Sequence, residues 1–235
     1  MKLVARRSEQ GVPTPQRSLR PIRVALVNFG PEDSTLEFKT TLSPLGVSVY
    51  SAGQVPEDLF DLVALTGDLS LLGKRRLPEG WESVLAFQPS AKFREAKGIL
   101  RKVDSVILCE DRETLVVRQF FESLMVPSLL NIDLADVAAM ARGIGLALRA
   151  SGIDGKEVVS KLPERCYVAK AGLLHFSCSD DVTLREVYDI SRRLASDEVD
   201  QNKVRKVNVK IGLRIRPQSA GEEERIRLTA ILFGF

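Results

Sequence analysis

Residues 126–148 read VPSLLNIDLADVAAMARGIGLAL, and the fold turns on how they are read. Asn131 or Asp133 can cap a helix start, and Asp136 in the first turn suits the positive end of the helix dipole. Leu134, Val137, Ala141, Ile144 and Leu148 then step by three and four, which makes one buried stripe. The spacing predicts a helix over 133–150. Gly143 and Gly145 inside it weaken it by ~1 kcal/mol each relative to alanine. Their presence implies that a neighbouring backbone packs closely there.

Upstream, short apolar runs alternate with helical stretches. Residues 22–28 (IRVALVN) form a β-branched run typical of a buried strand, and 62–65, 84–87 and 106–109 repeat the pattern. Ser34 with Glu37 makes a capping box ahead of Phe38, Leu42 and Leu45 at helical spacing. Helices are expected over 91–102 and 113–124, the second ending before Pro127. Such alternation predicts a largely parallel sheet covered by helices, in a reduced Rossmann-like domain over 22–132.

Downstream, the texture changes after 152–155. Strands are expected at 171–178, at 207–215 by alternation of Val207, Val209, Ile211, Leu213 and Ile215 with polar residues or glycine, and at 226–233. Thr183 and Glu186 form a capping box, with Val182 stapled onto Val187. The helix over 184–195 is expected to turn Leu184, Val187, Tyr188, Ser191 and Leu194 inward. Residues 153–235 are thus a second, α+β domain with a mixed sheet, joined to the first by a connecting helix at 133–152. Residues 1–21 read as a flexible basic leader.

Composition narrows the function classes. A net charge of +3 is too mild for a nucleic-acid-binding protein, although Lys2, Arg6, Arg7, Arg17, Arg20 and Arg23 crowd the start. Pro13 and Pro15 oppose an amphipathic targeting helix, and no apolar run reaches the ~18–20 residues of a membrane span. Cys109, Cys166 and Cys178 form no C-x-x-C pair, and an odd count argues for reduced thiols in a cytoplasmic protein. His175, the lone histidine, lies on an apolar strand without a metal or nucleophile pattern and reads as a satisfied core residue. No metal site is expected. Nor does any carboxylate pair or triad stand out for catalysis by the chain alone.

Three stretches resemble the FtsZ family of tubulin-like cell-division proteins. Residues 126–148 are similar to that family's synergy loop and following helix, P-G-L-I-N-x-D-x-A-D-V…G-x-A-L. AGLLHFSCSDDVTLREVYDISRRL (171–194), with the closing IRLTAILFGF (226–235), resembles its second domain. KVDSVILCEDRETL (102–115) is similar to V-D-T-L-I-V-I-P-N-D-R-L-L. The resemblance covers about the last 130 residues in the family's order. It implies that Asn131, Asp133 and Asp136 project toward a neighbouring subunit's nucleotide; spacing alone favours simple helix capping, and one acid can cap while the other projects.

The departures lie in the GTP-holding loops. FtsZ uses glycine-rich loops, where bare backbone N–H groups approach phosphate oxygens. Here the first strand runs into Asn28-Phe29-Gly30-Pro31-Glu32-Asp33, and the later loop reads Thr66-Gly67-Asp68-Leu69-Ser70-Leu71-Leu72-Gly73-Lys74. A P-loop reading of the second fails, its glycine spacing being one residue too long and Arg75 standing where Ser/Thr belongs. The stretch from Asp111 to Asn131 is also much shorter than in the family.

The degenerate loops at Asn28, Gly30, Gly67 and Asp68 are therefore expected to bind no nucleotide, and no cofactor is expected. The chain stops at Gly234-Phe235, where family members continue into a linker and a tail peptide, so direct membrane insertion is not expected. The leading expectation is a pseudo-GTPase that co-assembles with or caps a GTP-bearing FtsZ through its synergy-like loop. The alternatives are a divergent GTPase using GTP or GDP with magnesium, and a structural protein that self-assembles without nucleotide.

Overall fold

The computed structural model describes residues 22–55, 57–74, 76–163, 166, 169–195, 208–217 and 223–234. The expected leader, Val207 and Phe235 lie outside the described residues. Five parallel strands come first: β1 (Val24–Asn28), β2 (Ser48–Ser51), β3 (Leu62–Thr66), β4 (Val84–Pro89) and β5 (Ser105–Cys109). Each of β1, β3 and β5 is a run of five buried residues, as a sheet covered on both faces requires. β2 is a short edge strand that the sequence pattern did not reveal.

Between them lie α1 (Glu32–Leu42), α2 (Phe93–Ile99) and α3 (Glu113–Met125). The Ser34/Glu37 capping box does not form. α1 starts earlier, after Pro31, with no side-chain cap, and the Ser34 hydroxyl donates to the Pro31 carbonyl instead.

The 133–150 helix is corrected by the structure. α4 covers only Leu134–Met140, and β6 (Gly143–Gly152) follows at once, so residues 133–152 are not one connecting helix. Gly143 sits at φ 80°, in the left-handed region where glycine is at ease, and breaks the helix there. Beyond it, β6 is covered on both faces, and such a strand shows no polar alternation to betray it. Close packing at Gly145 is real but belongs to a strand: a Cβ there would lie 2.6 Å from the Phe233 ring.

β6 pairs in parallel with β5 and antiparallel with β9 (Ile226–Phe233). β9 pairs with β7 (Ala171–Cys178), and β7 with β8 (Asn208–Ile215). The strands of the expected second domain thus extend the same sheet, in the order β2-β1-β3-β4-β5-β6-β9-β7-β8. It is mixed only in its last third.

Helix α5 (Gly155–Ser160) and helix α6 (Leu184–Ala195) cover one face of that last third, where Val158, Val187, Ile190 and Leu194 join the core. The Thr183–Glu186 box forms as expected, with both reciprocal backbone bonds. Its helix is rotated from the expected phase, however, leaving Leu184 and Tyr188 exposed and Ile190 buried. The opposite face is covered by α1, α3 and α4. α3 touches strands of both halves of the sheet, burying Val116, Val117, Phe120 and Phe121. Its polar side reaches the later strands. Gln119 accepts from Arg149 Nε at 3.0 Å, and Glu122 faces Arg214 at 3.8 Å.

Candidate functional site

In an open parallel sheet, ligands bind beyond the carboxyl ends of the strands. Here that edge collects the loops after β1, β3 and β5. Asn28 is buried, and its amide donates to Ser34 Oγ and Thr35 Oγ1, both at 2.8 Å, while its carbonyl accepts from the Gly30 N–H at 3.0 Å. The Gly67 N–H donates to Glu113 Oε1 at 3.1 Å, across from the first turn of α3. Gly67 adopts φ 89°, and a Cβ there would lie 2.7 Å from Phe29 C and 2.9 Å from Asn28 Oδ1, besides meeting the Gly30 N–H. The two loops are in backbone contact, which only glycine permits.

Charge follows the same pattern. The Ser70 hydroxyl, at 2.7 Å, and its amide hold the Asp68 carboxyl below the ordinary carboxylate range. Glu113 is pushed the other way. Burial raises it to about 7, against the opposing pull of the Gly67 amide and Lys92. Glu113 was absent from the expected site, since a first-turn acid is ordinary in sequence. Only the chain's folding brings it to Gly67.

The synergy-like residues sit at the other end of α3, about 20 Å of helix away. The segment after Met125 lies against Ile22, at the amino end of β1, and pairs with β8 at the far edge of the sheet, where Leu213 N donates to Leu130 O at 2.8 Å. Asp133 caps α4: its Oδ1 accepts from Asp136 N at 2.7 Å, and Asp136 reciprocates to Asp133 N. Burial pushes the Asp136 carboxyl up, but Lys210 at 2.7 Å and the Asp133 amide outweigh it and hold it low. Asn131 accepts from Ser128 N at 3.1 Å. Both acids therefore hold the helix start, with Asp133 exposed and Asp136 half-buried. Asp133→Ala is expected to lose ~1 kcal/mol of stability in a denaturant melt, the usual worth of an N-cap.

His175 is buried as expected but is not satisfied. Neither ring nitrogen has a partner among the described residues. Burial lowers it to about 4, so it is neutral at pH 7. Cys109, Cys166 and Cys178 are buried and none is in a disulfide among the described residues, with burial raising Cys178 to about 12. No helix among the described residues is long and apolar enough to cross a membrane.

No family model matches the sequence. A curated relative, cell division protein FtsZ 2 of Methanocaldococcus jannaschii, is 35% identical over 132 residues, covering 50% of this chain and 33% of its own length. The chain thus spans about a third of that relative. Among solved structures, an empty FtsZ dimer from M. jannaschii superposes with a TM-score of 0.65 at 12% identity, over 92% of this chain and 89% of that one. CetZ from Methanosaeta thermophila gives a TM-score of 0.55 at 12% identity, over 91% and 86%. The chain has the FtsZ/tubulin fold.

On that fold the carboxyl edge is where a nucleotide would lie, and the residues present do not fit one. The Gly30 and Gly67 amides already donate within the chain. A phosphate there would also meet the carboxylates of Glu113 and Asp68. The amides at this edge are turned to internal partners.

Proposed function

We propose that this protein is an FtsZ-like assembly protein that works without binding GTP, joining or capping filaments of a GTP-bearing FtsZ through the segment after α3. The observation that carries this reading is the Gly67 amide held by the chain's own Glu113 carboxylate. The opposite end is available for contact, with Leu129 at 60% exposure and Leu130 at 42% beside the capped start of α4. The fold shared with FtsZ supports an assembly role.

A second reading, self-assembly without nucleotide, is favoured by exposed apolar side chains at both ends of the strands. Leu36, Leu71 and Phe93 follow the carboxyl ends of β1, β3 and β4, while Ile22 and Leu59 precede β1 and β3.

Labelled GTP and GDP should show no saturable binding up to ~1 mM, with or without magnesium, a free energy weaker than ~−4 kcal/mol. Micromolar binding would restore the divergent-GTPase alternative and end the pseudo-GTPase reading. Co-sedimentation with an FtsZ from the same cell should depend on Leu129 and not on Asp68. Leu129→Glu should abolish it, because a buried unpaired charge is expensive at an interface. Asp68→Ala, at the far end of α3, should leave it intact. Sedimentation of the protein alone, with no effect on FtsZ, would favour self-assembly.

A further inference from the structure

Glu113 opens α3, yet it is half-buried and sets a carboxylate oxygen on the Gly67 amide at 3.1 Å. That amide belongs to a loop with φ 89°, pressed onto the backbone of Phe29 and Gly30. A donor presented by such a turn, beside a helix start and a lysine, is the equipment of an anion cradle. We infer that Glu113 is a built-in occupant of this cradle, a carboxylate standing where an external phosphate-type anion would accept the Gly67 hydrogen bond. This rests on the proposed absence of nucleotide binding and gives it a removable cause.

The charged groups around Glu113 decide how the plug behaves. Lys92, from the segment between β4 and α2, attracts both Glu113 and Asp68. The Cys109 thiol ends β5, and burial with the charges of Glu113 and Asp111 keeps it protonated. Burial of the carboxylate is the largest influence, so the folded chain holds the Glu113 proton more tightly than the unfolded chain does. Its ordinary value is 4.5 and its folded value about 7. The contribution is therefore fully present below pH 4.5 and is lost as pH rises through about 7.

The test compares the full chain with Glu113→Gln and Glu113→Ala. Relative to Glu113→Gln, wild type should melt progressively lower as pH rises from 5 to about 7, the opposite slope of the buried His175 being common to both proteins. Glu113→Gln, which keeps the acceptor without the charge, should lack that fall and melt several degrees higher than wild type at pH 8. Glu113→Ala vacates the Gly67 amide and should bind inorganic triphosphate at least tenfold more tightly than wild type at pH 8. A Gln variant with the wild-type pH slope overturns the inference. So does a folded Ala variant, verified by circular dichroism, that binds triphosphate no better than wild type. If the Ala variant does not fold, Glu113→Ser, also short and uncharged, takes its place in the triphosphate titration. Tight GTP binding by wild type would instead remove the proposed function itself, a distinct outcome.

Discussion

Phe121→Ala is expected to lose about 3–5 kcal/mol of stability, the usual loss for a fully buried phenylalanine. Phe121 is entirely buried on α3, and its ring meets Phe120 edge-on at 5.4 Å between centroids. Phe120 in turn meets Phe87 of β4 at 5.4 Å. These rings fix the helix that carries Glu113 at one end and the synergy-like segment at the other. The loss combines the removed apolar area with a cavity that tightly packed neighbours cannot fill. Leu36→Ala serves as the control; at 64% exposure it should change stability by less than ~0.5 kcal/mol. Urea unfolding midpoints measure both. Near-equal losses in the two variants would mean that α3 is not the centre of the core.

Gly67→Ala should also be strongly destabilising, by roughly 2–5 kcal/mol, from left-handed strain together with overpacking. The added Cβ meets backbone rather than a side chain, so nothing can swing aside. The loops after β1 and β3 must separate, breaking the 2.8 Å bond from Phe29 N to Thr66 O or the Glu113 contact. Gly98→Ala is the companion control. It lies in α2 with open space around the site, and alanine there should be neutral or stabilising, since alanine favours helix. If Gly67→Ala melts within ~1 kcal/mol of wild type, the two loops are not packed as described.

The strands legible in the sequence were those whose composition leaves few options. β1, β3, β4 and β5 are short β-branched or aliphatic runs bounded by turns, and each was found within two residues. The Thr183–Glu186 box was also legible, because both partners lie within one turn of the chain. The Ser34–Glu37 box has the same spacing and does not form, since Pro31 starts the helix earlier and Asn28 takes the Ser34 hydroxyl. Residues 141–150 misled for a related reason. Apolar residues at steps of three and four fit a helix face, but β6 is covered on both sides and apolar at the successive positions Leu146, Ala147 and Leu148, so the period carries no information.

The sequence by itself determined that the loops after β1 and β3 depart from a glycine-rich pattern and carry acids, and that Asp133 and Asp136 begin a helix. These are local facts, readable from residue types a few positions apart. Only the tertiary structure decided what the loops do instead. Asn28 turns to Gly30 and α1, and Glu113, 46 residues from Gly67, supplies the carboxylate that takes its amide. It also decided that one sheet runs through the expected domain boundary, because the place of β6 beside β5 depends on strand pairing, not on its own pattern. Hydrogen bonds across that distance leave no spacing in a sequence. They arise when sheet pairing and α3 packing bring the ends of separate segments to the same edge.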